Sequence, residues 1–275
     1  MKYFLALLIS ASLFSFNLSE KKTKTTEVTS DKNIIHFEKS EYGLIFTNIS
    51  VNGKSVKAMI DFGDPNVLQL SSSFVKEEQI DVQKTNAIAK DVFGNSFEIN
   101  KGVAKEIMIG QWKNNDVEFL SSPNEIESVS KQINTTFNAV VGWGYFNNYY
   151  TQIDYKASTF IVSKKHEFDD TIIFKTSFNK NSNYLSVPVS INDSTANLII
   201  DTGSPISLID SSYYHQRKFK DIVVKIEQKE VPLDLKTQDL RILKQINAHG
   251  IIGGDFLNKY KIIIDPFKKQ LSFKR

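Results

Sequence analysis

The chain has 275 residues, 41% of them apolar, with 34 Lys and Arg against 31 Asp and Glu and a formal net charge of +3. That is enough chain for one large domain or two lobes of about 110–130 residues each. Acids and bases are interspersed, so the focused basic stripe that a phosphate backbone needs is missing and nucleic acid is excluded as a partner; without cysteine, neither disulfides nor a cysteine-borne lipid anchor is available.

Met1-Lys2 opens an apolar run, Tyr3 to Phe16, broken only by small residues and serines. A basic start followed by about a dozen apolar residues predicts a secretory signal peptide over 1–19, too short for a spanning helix. Export to a periplasm or to the exterior is expected, with no stable membrane insertion once the signal is cleaved. Residues 20–33, polar apart from Val28, predict a flexible leader that cannot bury enough surface to offset its ordering entropy. Folded structure is expected from Ile34.

From there the pattern is short runs of β-branched and aromatic residues separated by turn residues: 44–51, 56–60, 117–120, 152–162, 184–191, 196–201 and 260–273. The expected class is all-β with a few short helices. Asn52-Gly53 sits between two such runs as a hairpin signal, and Asn192-Asp193 holds the same place later in the chain. Short helices are expected around 71–78, 123–132, 145–148, 211–217 and 256–259.

The chain repeats itself. Residues 49–73 reappear at 189–213, shifted by 140 positions with nine identities, among them Asp61/Asp201, Gly63/Gly203 and Pro65/Pro205. Residues 138–154 reappear at 249–265, shifted by 111, keeping Gly142/Gly253, Asn147/Asn258, Tyr149/Tyr260, Ile153/Ile264 and Asp154/Asp265. Both phrases keep their order, which predicts two homologous lobes, 34–165 and 166–275. The drop in shift places extra hairpin or helix in the first.

An apolar strand ending in D-x-G, followed later by an apolar pair and glycine (Val140-Val141-Gly142, Ile251-Ile252-Gly253), resembles the aspartic peptidase superfamily, and the compact retropepsin-like members more than the larger pepsins. The resemblance covers nearly all of 34–275. It implies two acid-protease-like β-barrel lobes forming a bilobal cleft, in a monomer, with Asp61 and Asp201 as the catalytic pair and a peptide or protein substrate. Gly63 and Gly203 let the backbone turn tightly against the carboxylates. The family's loop threonine reaches across to the opposite lobe and its following serine can donate to the carboxylate, roles open to Thr202 and Ser204. The first copy departs from the pattern: Phe62 has no hydroxyl, and an ionised Asp64 can only accept and would raise the pair's pKa. Residues 91–97, with Phe93 and Gly94 at a turn, are expected to form a flap pressing on substrate; the second half is expected to carry a shorter hairpin between Ser212 and His249.

Two carboxyls sharing one proton can hydrolyse an amide without a metal or a nucleophile, because one pulls a proton from water while the other protonates the carbonyl oxygen. The four histidines show no H-E-x-x-H or other metal spacing, so neither a metal nor a cofactor is implied. Asp154, Asp255 and Asp265 lack the D-x-G turn and are expected to be turn acids. Gly53-Lys54-Ser55 lacks a glycine at position 48 and reads as a hairpin turn, not a phosphate loop. The departures at Phe62 and Asp64 keep a second reading open, a cleft that binds a peptide or protein without cutting it. A third would pair Asp201 loops from two chains.

Overall fold

The computed structural model describes residues 30–90, 95–168, 172–179, 183–217 and 223–274. The expected signal peptide, most of the leader and the Phe93-Gly94 turn lie outside the described residues.

The first half runs β1 (Lys32–His36), β2 (Glu38–Lys39), β3 (Ile45–Val51), β4 (Lys54–Asp61), β5 (Leu68–Leu70), α1 (Ser72–Glu77), β6 (Val82–Lys90), β7 (Ser96–Ile109), β8 (Trp112–Ser121), α2 (Glu125–Gln132), β9 (Ala139–Gly142), α3 (Trp143–Phe146), β10 (Tyr150–Asp154) and β11 (Thr159–Ser163). The strand β1 starts two residues before the expected boundary at Ile34. Buried Asn33 fixes it there, donating from Nδ2 to the Ile109 carbonyl while its Oδ1 accepts from the Gln111 N–H. The second half runs β12 (Phe174–Ser177), β13 (Ser186–Ile191), β14 (Ser194–Ile200), β15 (Leu208–Asp210), α4 (Ser211–Arg217), β16 (Val224–Ile226), β17 (Lys229–Val231), β18 (Lys236–Gln238), a 3-10 turn over Arg241–Ile246, β19 (Gly250–Ile252), α5 (Gly254–Leu257), β20 (Lys261–Asp265) and β21 (Gln270–Lys274). That 3-10 turn is not among the helical segments expected from the sequence.

The protein is all-β with two matching lobes. In the first, β3-β4-β9-β5-β8-β7 closes on itself through the β3–β7 pairing into a six-stranded barrel. The second repeats the connections: β13–β14, parallel β14–β19, β19–β15, parallel β15–β18 and β13–β16. It stays open because β16 and β17 are three residues each, whereas β7 and β8 run 14 and 10 residues and join along their length. Those long strands, with α2, account for the extra length of the first half. Both expected hairpins form, with Asn52 and Gly53 at φ 50° and 83° and Asn192 and Asp193 at 46° and 63°, the left-handed pair that a two-residue turn matched to strand twist requires.

A third sheet, β1-β11-β10-β20-β21-β12, takes three strands from each half. At its centre β10 and β20 pair antiparallel, Thr151 with Ile264 and Ile153 with Ile262. Moving between halves by 111 positions converts the first of these pairs into the second, so a pseudo-twofold axis passes through Gln152 and Ile263. The five helices form where expected, except that α3 and α5 each begin two residues early, at Trp143 and Gly254. Their first N–H groups are claimed by the D-x-G loops.

Candidate active site

Each D-x-G loop is made by a crossing strand behind it. The strand β4 ends on Asp61, paired in parallel with Gly142 of β9, and β14 runs alongside β19 with Ile200 opposite Ile252. The glycines are required by close approach: a Cβ at Gly142 would stand 2.2 Å from the Asn66 carbonyl oxygen, and one at Gly253 2.3 Å from that of Ile206. The next N–H then locks the loop, Trp143 donating to the Asp64 carbonyl and Gly254 to the Ser204 carbonyl, each at 2.7 Å.

The two loops meet on the pseudo-twofold axis. The Gly63 N–H donates to Asp61 Oδ1 and the Gly203 N–H to Asp201 Oδ1, both at 2.8 Å. A Cβ at Gly63 would lie 2.6 Å from Cγ of Asp201, and one at Gly203 2.5 Å from Cγ of Asp61. Each glycine is thus the floor on which the opposite carboxyl rests. The carboxyls lie within hydrogen-bond reach of each other. Oδ2 of Asp61 and Oδ2 of Asp201 are buried with no hydrogen-bond partner among the described groups, the pair of oxygens that a shared proton would serve. Asp201 and Asp61 thus come together inside one chain, each seated on the other loop's glycine.

Thr202 spans the lobes, its Oγ1 donating to the Ile60 carbonyl at 2.7 Å and accepting from the Phe62 N–H at 3.0 Å. Phe62 cannot reciprocate. Its place in the loop predicts a supporting or substrate-contacting residue beside the pair; instead its ring turns away into a cluster with Trp143 and Phe146, centroids at 5.4 Å, and Phe160 at 5.8 Å. Burial of an aromatic ring among aromatic rings is worth more than an exposed position over a carboxyl pair. Ser204 also differs from expectation. Its hydroxyl donates to the Ile206 carbonyl at 2.7 Å, while its backbone N–H donates to the main-chain carbonyl of Asp201 at 3.4 Å.

Asp64 is buried, and its charge is held by amide donors: Oδ1 accepts from the Asn66 N–H at 2.9 Å and Asn66 Nδ2 at 2.6 Å, and Oδ2 from Gln69 Nε2 at 2.7 Å. Neither Asn66 nor Gln69 is among the residues expected at the site. The two-residue spacing of Asp64 and Asn66 signals an Asx turn. Gln69 is the only polar side chain of a fully buried three-residue strand, which marks a position that needs a partner.

Burial and neighbouring charge set the acidity of the pair. Burial pushes the Asp61 carboxyl well above the ordinary carboxylate range, and the charges of Asp201 and Asp64 push the same way against a single N–H from Gly63. Burial also lifts Asp201, to about 7, but the hydrogen bond from Asp61 and the N–H groups of Gly203 and Ser204 pull it back. The pair titrates as one system, and both carboxyls are lifted by burial. Asp61 and Asp201 are 0% and 1% exposed, so the pair is closed to solvent.

Asp154 and Asp265 are turn acids as expected, whereas Asp255 lies in the first turn of α5. Asp154 caps the N–H groups of Lys156 and Ala157, Asp265 those of Phe267 and Lys268, and Asp255 accepts from the Ser207 hydroxyl at 2.6 Å. Substituting Thr202 with Val removes the cross-lobe hydroxyl and strands the Phe62 N–H in the interior. A loss of about 2 kcal/mol in unfolding free energy is expected, measured by denaturant titration, with Thr202→Ser retaining most of it.

The chain matches no protein-family model, and no curated protein matches it.

Proposed function

We propose that the protein is an aspartic-type endopeptidase, exported from the cell, that hydrolyses peptide bonds by water activation between Asp61 and Asp201. The observation that carries this reading is the meeting of two D-x-G carboxyls from duplicated loops within hydrogen-bond reach, each seated on the other loop's glycine. Water bound between the carboxyls gives a proton to ionised Asp201 as its oxygen attacks the carbonyl carbon, and Asp61 gives its proton to the carbonyl oxygen. The resulting gem-diol collapses when the leaving nitrogen takes a proton, releasing an acid and an amine and returning one shared proton to the pair. Neither a metal nor a cofactor enters the scheme. The substrate is a peptide or protein and the acting unit is a monomer, since one chain supplies both loops.

The test is incubation of the purified chain with a denatured protein and a mixed peptide library from pH 3 to 8, with products read by mass spectrometry. Pepstatin-sensitive cleavage that Asp201→Asn abolishes is the expected result. A protein inert across that range, and indistinguishable from its Asp201→Asn form, overturns the proposal.

A second reading, a non-catalytic cleft that binds a peptide or protein partner, is favoured by two observations: the carboxyl pair is closed to solvent, and the first loop has given its hydroxyl position to a core phenylalanine. Saturable peptide binding without product at any pH would select it.

A further inference from the structure

The six-stranded sheet ends on β1 at one edge and on β12 at the other. The two edges are counterparts. His36 faces Thr159, and Ser177 faces Gln270, so Asn33 and Ile35 correspond to Phe174 and Thr176. The hairpin tips of the two lobes correspond in the same way. Val51 faces Ile107 and Ile191 faces Val224, which matches the β7–β8 tip, Ile109 to Trp112, with the β16–β17 tip, Ile226 to Lys229.

In the first lobe the tip is docked on the sheet edge. Asn33 donates to the Ile109 carbonyl and accepts from the Gln111 N–H, and Trp112 Nε1 donates to the Ser30 carbonyl. The approach is close enough that a Cβ at Gly110 would stand 2.3 Å from Asn33 Oδ1. The second lobe has Phe174 in place of Asn33, Glu227 in place of Gly110 and Lys229 in place of Trp112. Phe174 offers no side-chain group to bond a tip, and Glu227 replaces the glycine that permits contact. Lys229 Nζ reaches the Ile173 carbonyl, at 2.8 Å, just before β12. Between tip and edge there remains a cavity of about 440 Å³, lined among others by Ile173, Phe174, Thr176, Ser177 and Lys229. That volume falls within the range of ligand-binding clefts.

An edge strand turns main-chain N–H and C=O groups away from its one neighbour. The strand β12 has β21 on one side and, among the described residues, no strand on the other. The matching space in the first lobe is filled by main-chain amide groups of the protein itself, those of Ile109 and Gln111. What the second lobe lacks there is therefore polypeptide. We propose that this groove takes an extended segment of a polypeptide partner, which pairs with β12 as a seventh strand of the sheet. None of the lining residues belongs to the loops of Asp61 and Asp201, so the site stands whether or not those carboxyls cut.

The test uses the full chain carrying Asp201→Asn, so that no probe is cleaved. The probe is a short end-blocked peptide of alternating valine and threonine, and its control is the same peptide N-methylated throughout, which cannot donate to a strand edge. Hydrogen exchange is read by mass spectrometry. Slower exchange across Phe174–Ser177 with the first peptide and not with the second is expected. Ser177→Trp, which fills the groove from an exposed position, should weaken that binding about tenfold or more, and Lys229→Trp, from the opposite wall, should do the same. Exchange unchanged at β12, protection confined to the loops of Asp61 and Asp201, equal protection by the methylated peptide, or binding untouched by both tryptophan variants overturns the proposal.

Discussion

Asp201→Asn is expected to lower peptide hydrolysis by at least about a thousandfold while making the folded protein more stable at neutral pH. The two effects have one cause. In the unfolded chain a carboxyl titrates near 3.9, whereas burial holds Asp201 protonated up to about 7 and lifts Asp61 in the same direction. Between those values the folded state binds more protons than the unfolded one, so stability falls as pH rises from about 4 through 7. The contribution of the pair is fully present below about pH 4 and is lost as the folded carboxyls ionise. An asparagine at 201 keeps the Gly203 N–H bond and cannot ionise, so it escapes that loss. Each tenfold difference in proton affinity between the folded and unfolded carboxyl is worth about 1.4 kcal/mol. The gain at pH 8 should therefore be roughly 4 kcal/mol, or about 8–16 °C in Tm for a chain of this size, shrinking towards zero at pH 4. Calorimetry of parent and variant across that range is the check. A Tm difference independent of pH would mean that the pair is not buried as described, and unchanged hydrolysis would remove Asp201 from the chemistry.

Phe62→Thr, which gives the first loop the residue found at Thr202, is expected to cost about 3–5 kcal/mol of stability, not to repair the site. The ring it removes is fully buried and packs against Trp143, Phe146 and Phe160, so the smaller side chain leaves a cavity where the first lobe meets the shared sheet. The new hydroxyl also has to find a partner in that cavity or go unsatisfied. Thermal unfolding should show the loss directly. Hydrolysis measured well below the lowered Tm should not rise. A gain of tenfold or more would mean that the natural loop had given up catalysis in exchange for packing, and would favour the binding reading. Asp64→Ser separates the second departure. It empties the acceptor that Asn66 and Gln69 serve and removes a charge that raises both members of the pair, so any activity should shift to lower pH.

Much of this architecture is legible in residue order. Two phrases repeated in the same order require two units of one topology, and the hairpin dipeptides and the glycines behind each loop follow from rules that act over a few residues. The placement of Phe62 is not legible in that way. A phenylalanine beside a catalytic-type aspartate has two directions open to it, and which one wins depends on Trp143, Phe146 and Phe160, some 80 to 100 positions later. The role of Ser204 is hidden for the same reason, since its hydroxyl finds a carbonyl two residues on and not the carboxylate. The shift of α3 and α5 by two residues likewise depends on which loop carbonyl their first N–H meets.

By itself the sequence determined the class of fold, the internal duplication and the pair of turn acids, because strand periodicity, turn chemistry and repeated phrases are local and survive as text. Only the tertiary structure decided that each acid rests on the other loop's glycine, that Asp64 is clamped by two amide side chains, that burial lifts both carboxyls and that Phe62 belongs to the core. Each of those depends on burial and on the number of donors around a carboxyl, quantities that exist only once distant strands have closed over it.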